Sequence, residues 1–457
     1  MRMLLKLPAL AALLCVAGTV AAQPLVPPCP SLTADCLLSE AAALAGAVAR
    51  SGPRDEIHFS VATALAALGR LDDAVAMADQ IADPYTRAEA FGEIAAAAAR
   101  AGAFDRAYAI ALTIVDARSR SARVAALQAV AVAQGRAGQI DAAFDTVVAI
   151  DNPYRRSEAQ AAIATAVAQA GDMPAAFRAA SRIATKYWFT SDQHELKIAS
   201  GLVSRSGDFD QFWFFEAMGG IAQIQARNGD VAGALKTAKS IPDMAGRSRA
   251  AARIASAQAR AGDIDGALAT ASRVETAFGD LEAMVAIAEA KAHAGDIAGA
   301  LGLARDIFAA YGDAGGMVAV AVQQARQGDV GGALTTVASI EALDARTRAL
   351  AGMAVALVGA GRADTALEVV ALIHDPRERS EVIHRIAVTL AGDGAPERAL
   401  DIAARFAERR DHDDLVVAIA LAQAAAADAE GAMTTALHLH DDMYRAIAMA
   451  GIAPFVR

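Results

Sequence analysis

Large side chains are scarce in this chain. Aromatic residues make up only 5% of 457 positions, with two tryptophans. The apolar content is nevertheless 55% and rests mostly on alanine. That combination excludes a core filled with bulky rings and suits helices packed closely against one another. Cysteine is nearly absent too, at three residues, one of them within the first 22. A disulfide-dense scaffold and a zinc-ribbon protein are both excluded on that count. No phosphate-cradling glycine loop, nucleophile elbow or zinc-spaced His/Cys cluster occurs. His438 and His440 lie two apart on an expected helix and face different ways, so they make a poor metal pair. His412-Asp413-Asp414 reads as a solvated turn. We expect no metal, no cofactor and no catalytic constellation.

The N-terminus reads as a secretory signal. Arg2 and Lys6 supply the positive start, Leu7 to Val16 the apolar stretch, and Val20-Ala21-Ala22 the small-residue cleavage site before Gln23. The mature chain, from residue 23, is expected in a periplasm or secreted. Removing two basic residues leaves 40 Lys+Arg against 52 Asp+Glu, a net charge of −12. Such an acidic balance argues against nucleic acid as a partner. Charge at helical spacing interrupts every later apolar run, so no integral membrane segment is expected after cleavage. Cys29 and Cys36 remain, flanked by Pro27, Pro28 and Pro30, and in an oxidising compartment they are expected to form a small disulfide loop.

What the chain has in quantity is a beat. Glycine recurs at 229, 262, 295, 328, 361 and 394, a strict 33-residue step, and the next step lands on Ala427. Upstream it continues at Gly69, Gly102, Gly138, Gly171 and Gly207, with three irregular intervals. A fixed period of this length is the mark of a repeat array. Seven residues before each turn stands an alanine, at 62, 95, 131, 164, 222, 255, 288, 321, 354, 387 and 420, with Ser200 the exception. Five after it stands another, at 74, 107, 143, 176, 234, 267, 300, 333, 366, 399 and 432. Apolar triplets such as Phe91-Ile94-Ala95 and Ile383-Ile386-Ala387 put one face of a first helix inward. Gly-Asp at the turn allows a left-handed residue and then a helix N-cap.

The small residue eight into the first helix, the Gly-Asp turn at fifteen and sixteen, and alanine at twenty resemble tetratricopeptide repeats, over residues 36 to 453. The large aromatics of that family are missing; Gln134, Gln225, Gln258, Gln324 and Gln423 stand where a tyrosine is common. The repeat is one residue short, and Sel1-like or other helical-hairpin solenoids remain alternatives. The resemblance implies an all-α fold, a right-handed α-solenoid of about twelve helix-turn-helix repeats. It also implies a concave face, lined by first helices, that binds proteins or peptides. The expected organisation is a signal peptide (1–22), a tail with the disulfide loop (23–35) and repeats (36–186). An irregular aromatic-rich repeat (187–228) and regular repeats ending in a capping helix (229–457) follow. Cys36 falls in the phase of a turn glycine, so the array opens with a half repeat, expected to cap an exposed solenoid end.

Candidate binding residues follow from phase. Arg100, Arg136, Arg205, Arg227, Arg260 and Arg326, with His293, precede the turn by two residues. Glu56, Glu89, Glu158, Glu216, Glu282, Glu381 and Asp414 lie eleven earlier, about three helical turns, so both rows share a face. Such rows also complement the helix macrodipole, which is a purely structural account of them. A second arginine row, eighteen after each turn, includes Arg87, Arg156, Arg247 and Arg346, with an Asp often four earlier (Asp83, Asp116, Asp243, Asp375). It is expected to form a structural ladder. Around the irregular spacing lie Trp188 and Trp213 with Tyr187, Phe189, Phe212, Phe214 and Phe215, either filling the gap left by a truncated second helix or forming an aromatic pocket. The reading is an exported, monomeric scaffold without catalysis that binds a protein or peptide. The rivals are an α/α-toroid enzyme or glycan binder using residues 187–215, and a structural spacer in an envelope complex.

Overall fold

The computed structural model describes residues 29, 32–115, 119–183, 187–189, 196–198, 209–272, 277–406 and 409–456. The proposed signal segment lies outside them, as do Asp116, Ser200, Arg205 and Gly207. Twenty-four α-helices occupy almost all of what is described. First helices of the hairpins are α2 (Ser51–Ala67), α4 (Pro84–Arg100), α6 (Arg120–Arg136), α8 (Pro153–Gln169), α10 (Phe209–Arg227) and α12 (Met244–Arg260). They continue as α14 (Ala277–His293), α16 (Gly315–Arg326), α18 (Leu343–Gly359), α20 (Pro376–Gly392), α22 (Arg409–Ala425) and α24 (Asp442–Ile452). Second helices are shorter: α3 (Leu71–Ala78), α5 (Phe104–Leu112), α7 (Ile140–Val148), α9 (Met173–Ser181), α11 (Val231–Lys239) and α13 (Ile264–Ala271). The rest are α15 (Ile297–Tyr311), α17 (Val330–Ala338), α19 (Ala363–Val370), α21 (Pro396–Phe406), α23 (Ala429–Ala436) and, ahead of them all, α1 (Ala34–Ala47).

Alanine sets the spacing. Every alanine of the two periodic rows within the described residues is fully buried. A methyl group there lets the two helices of a hairpin, and successive hairpins, approach without a side chain between them. The turns follow one recipe. In α12, Gly262 takes φ +87°; its N–H donates to Ala259 O and the Asp263 N–H to Gln258 O, which is the Schellman closure. Asp263 then caps α13 by accepting from Gly266 N at 2.9 Å. Ala427 makes the same turn at φ +67°, the one non-glycine with positive φ among the described residues. A Cβ in the left-handed region costs about 1–2 kcal/mol. Ala427→Gly should therefore raise stability, by about 0.5–1 kcal/mol after allowing for the looser unfolded chain. A thermal midpoint below that of the parent would refute it.

The array closes on itself. Each first helix packs against the first helices before and after it, so this layer forms an inner wall; the second helices sit outside, each on its own first helix and the next. At the end of the chain, α24 packs on α22, on α2 and on α1. α24 is a first helix without a following partner and α1 a second helix without a preceding one. Together they make the twelfth hairpin, split between the termini. The phase agrees: Ala41, five after Cys36, and Ala453, where a first helix places its alanine, are both fully buried. The solenoid is thus a ring of twelve hairpins, which corrects two expectations. The opening half repeat does not cap an exposed end, and the last helix is not a terminal cap: each covers the other. Cys29 and Cys36 are disulfide-bonded, as expected, and the bond pins the start of α1, whose Thr33 side chain caps it by accepting from Cys36 N at 3.3 Å.

The irregular block also differs from expectation. Among the described residues there, no second helix is truncated. α9 is a regular second helix and α10 a full 19-residue first helix packed on α8 and α9. From Gly171 to Gly229 is 58 residues, 25 more than the 33-residue period, so 25 residues are inserted between two intact hairpins. Two short strands lie within them, β1 (Tyr187–Phe189) and β2 (Leu196–Ile198), antiparallel with Trp188 opposite Lys197. Phe212 accordingly opens a first helix instead of replacing a second-helix alanine.

Candidate functional site

The inner wall is the surface on which the candidate rows fall. Glu381 and Asp414 of the acidic row and Ala425, in the phase of the arginine row, all line one cavity on α20, α22 and α24. Glu89 lines a second cavity across α2, α4 and α6. All first helices run the same way around the ring, so the acids gather toward one rim and the arginines toward the other. Twelve helices about 9–10 Å apart put their axes on a circle roughly 35 Å across, leaving an opening of roughly 25 Å inside the helices' own thickness. Where the residue nine before the turn is glycine, neighbouring wall helices approach most closely. A Cβ on Gly352 would stand 2.6 Å from Val322 Cγ2, one on Gly451 2.4 Å from Leu421 Cδ2, and one on Gly220 2.9 Å from Thr165 Oγ1. The residue six before one turn overhangs the residue nine before the next.

Arg100, Arg136, Arg227, Arg260, His293 and Arg326 are all exposed. Arg136 reaches Gln169, its counterpart one repeat on, at 3.5 Å, which places neighbouring members of the row side by side. The acidic row behaves differently, because most of it is engaged within the wall. Glu216 is held by Arg249 at 2.9 Å and by Arg253. Glu158 pairs with Arg155 at 2.7 Å. Glu89 accepts from the Tyr85 hydroxyl and so holds the Tyr85 pKa above its ordinary value. Burial, followed by the nearby Asp414, Asp413 and Asp441 carboxylates, pushes the Tyr444 pKa up.

The aromatic block divides. Phe214 and Phe215 are core residues. Trp213 is half-buried, edge-on to Tyr154 (centroids 5.5 Å) and to Phe212 (5.2 Å), with its indole N–H buried and without an acceptor. Phe212 is exposed beneath the Arg249 guanidinium at 5.3 Å. Trp188 is placed by its backbone in β1, away from this cluster in sequence.

The second arginine row is structural, but its partners are not the expected aspartates. Asp83, Asp243 and Asp375 cap their own helices, accepting from Thr86 N, Gly246 N and both Arg377 N and Glu378 N. The arginines instead donate to carbonyls at the end of the preceding second helix. Arg156 gives Ile150 O two bonds (3.0 and 2.8 Å), Arg346 gives Ile340 O two (3.1 and 2.8 Å), and Arg247 and Arg87 bond Ile241 O and Ile81 O. Those carbonyls have no helical partner, and the guanidinium fork satisfies them while tying one hairpin to the next.

One feature of the hairpins escaped the sequence reading. The glutamines in the tyrosine position are buried, and each accepts from a threonine twelve residues later on the second helix. Thr146 donates to Gln134 at 2.8 Å, Thr237 to Gln225 at 2.7, Thr270 to Gln258 at 2.6, Thr336 to Gln324 at 2.7 and Thr435 to Gln423 at 2.6. Gln258 also donates to the capping carboxylate of Asp263 at 2.8 Å. Where the first position is apolar the second is apolar too: Leu65 with Met77, Val167 with Ala179, Leu357 with Val369, Leu390 with Ile402. Lys291 faces Leu303 and sends its ammonium to Asp296 at 2.9 Å instead. This pairing between repeats was present in the sequence as a signal.

No protein-family model matches this chain, and no curated protein does. Solved structures that align with it include the crystal structure of Ton1535 from Thermococcus onnurineus NA1, at 17% identity. That alignment covers 70% of this chain and 96% of the other, with a TM-score of 0.23. A circular tandem repeat protein with novel repeat topology and enhanced subunit contact surfaces aligns at 14% identity over 88% of this chain and 82% of its own, with a TM-score of 0.14. Likenesses of this size carry no argument. The chain is a helical-repeat α-solenoid on the strength of its own periodicity and packing. Among the described residues no helix is long and apolar enough to cross a membrane.

Proposed function

We propose that this protein is an exported, non-catalytic scaffold that binds a protein or peptide along the inner wall of its ring, in the manner its likeness to tetratricopeptide repeats suggests. The observation behind this is the contrast between the two rows on that wall. The acids are largely engaged by neighbouring side chains, whereas the arginines are exposed and stand side by side along one rim. Exposed cations at helix C-termini complement the macrodipole, but that role needs no shared face and no continuity from one repeat to the next. A row of cations facing a lumen is suited to a chain carrying acidic side chains.

The test is capture from periplasmic extract with the 23–457 chain as bait, at low and high salt. A second bait carries Arg100, Arg136, Arg227, Arg260 and Arg326 changed to Glu. The expected result is a protein retained by the parent, lost by the variant and weakened by salt, as an exposed charged interface requires. Identical capture by both baits, with the variant's helical signal intact, would show the row to be helix-end decoration. The exposed Phe212 and Tyr154 beside Trp213 favour a glycan as the second reading, and that reading gains if neither bait retains any protein.

A further inference from the structure

Eleven of the twelve gaps between neighbouring first helices are crossed by the covalent chain, and one is not. α22 and α24 are joined through α23, as each earlier pair is joined through the second helix between them. α24 and α2 lie at opposite ends of the ring's sequence, so no backbone runs across the gap where they meet. The disulfide does not bridge this seam either, because Cys29 and Cys36 both stand on the α1 side of it.

Polar contacts reinforce several of the crossed gaps. Arg249 pairs with Glu216 between α12 and α10 at 2.9 Å. Arg362, ahead of α19, donates to Gly328 O at 3.1 Å, and Arg398 on α21 pairs with Asp364 on α19 at 2.8 Å. Each flank of the seam is likewise tied to its own side: Tyr444 of α24 to Asp414 of α22, and Asp35 of α1 to Arg70 ahead of α3. Across the seam the pattern stops. Among the described residues no hydrogen bond or ion pair joins α24 to α1 or α2. What meets there is apolar, Met449 and Ile452 from α24 with Leu37 and Leu38 from α1, all in one buried cluster. Such a contact is non-directional and parts without stranding a polar group.

We propose that the ring opens at this seam and only there, α24 parting from α1 and α2 so that a bound chain enters the lumen from the side. The proposal rests on reading the inner wall as the binding surface and names the route by which that surface is reached. A closed ring with an opening of roughly 25 Å takes in a free chain end by threading. It excludes a segment flanked on both sides by folded domains, since a domain of 100 residues is about 34 Å across. A lateral opening one helix diameter wide, about 10 Å, admits an extended segment directly. Shared over the eleven crossed gaps, it asks a displacement of only about 1 Å at each, within the reach of a solenoid.

The experiment is pulsed dipolar spectroscopy with spin labels attached to unnatural keto residues, which leaves the disulfide intact. One pair sits at Ser39 on α1 and Asp442 on α24, both exposed. The control pair, Asp265 on α13 and Met244 on α12, occupies the same phases of an uninterrupted hairpin and is exposed too. Closed, either pair spans about 25 Å, the length of one first helix. The seam pair should show a second population at least about 10 Å longer, and the control pair should not. Cyclising the chain, with a short Gly/Ser linker from Val456 to Cys29, should abolish that population. A single narrow distance at the seam would overturn the proposal, as would equal long populations in both pairs. A long population that survives cyclisation would mean that α24 frays alone, and would overturn it too. As a third bait in the capture experiment, the cyclised ring should retain at least about tenfold less of the protein held by the parent; equal retention would overturn the entry route. A parent bait that retains nothing would sink the scaffold reading, while the two distances still decide whether the seam opens.

Discussion

Removing α1 is expected to open the ring. A chain beginning at Ser51 lacks the helix that covers α24 and one flank of α2, and it lacks the Cys29–Cys36 bond. Leu37 and Ala41 are fully buried and Leu38 and Cys29 nearly so, all against the shared core. Their loss uncovers the flank of α24 that packs on α1. Small-angle scattering should show a larger radius of gyration, and a dye for apolar surface should bind. A milder form is Leu37→Ala, which should cost about 2–5 kcal/mol. The disulfide closes a short loop, and chain entropy gives it about 2–3 kcal/mol, so reduction should act in the same direction with a smaller effect. Scattering unchanged by deletion of α1 would mean that α24 and α2 close the ring alone, and the split hairpin would be incidental.

The second large effect concerns the glutamine–threonine pairs. Gln258→Leu removes the acceptor of a threonine that is only 3% exposed, and Thr270→Val removes the donor to a glutamine only 4% exposed. Each change alone strands a buried polar group, which costs about 1–3 kcal/mol. Making both changes recreates the Leu357–Val369 arrangement that another hairpin of this chain already uses. The double variant should therefore be far closer to the parent than the sum of the singles, a coupling measurable from the thermal midpoints of the four proteins. Additive losses would show that the pair is not a unit. The geometry supports coupling: a Cβ on Gly266 would meet Gln258 Nε2 at 2.4 Å, so the amide lies tightly in the turn.

The cost of an unsatisfied carbonyl explains a different part of the design. The second helices are short, eight or nine residues in most hairpins, and each ends in carbonyls without helical partners. Arg156 and Arg346 supply the missing donors from the following first helix. Exposed ion pairs between hairpins, such as Arg398 with Asp364 at 2.8 Å, add little beside this, because solvent screens them.

How much was legible in the residues is clearest at three places. The turn glycines and the paired alanines made the hairpins and their number legible, since a 33-residue period leaves few other arrangements; the layer each helix occupies came only from the resemblance to tetratricopeptide repeats. The disulfide was legible because two cysteines stand close together beyond the expected signal segment, with no other cysteine to pair with. The irregular block was misread because a period breaks in the same way whether a helix is shortened or a segment inserted. Only α10's full length and its packing on α8 separate the two.

By itself, then, the sequence determined local structure and nearest-neighbour packing: periodicity reports what each helix buries and against which neighbour. Ring closure was a matter for the tertiary structure. The opening half repeat announced itself in Cys36 with Ala41, and the last helix read as a cap, and both are compatible with an open superhelix. Whether they meet depends on a small rotation per hairpin accumulated twelve times, set by contacts such as Gly352 under Val322 and Gly451 under Leu421. The same accumulation decides that the short α24 borders a cavity shared with α20 and α22 instead of ending in solvent.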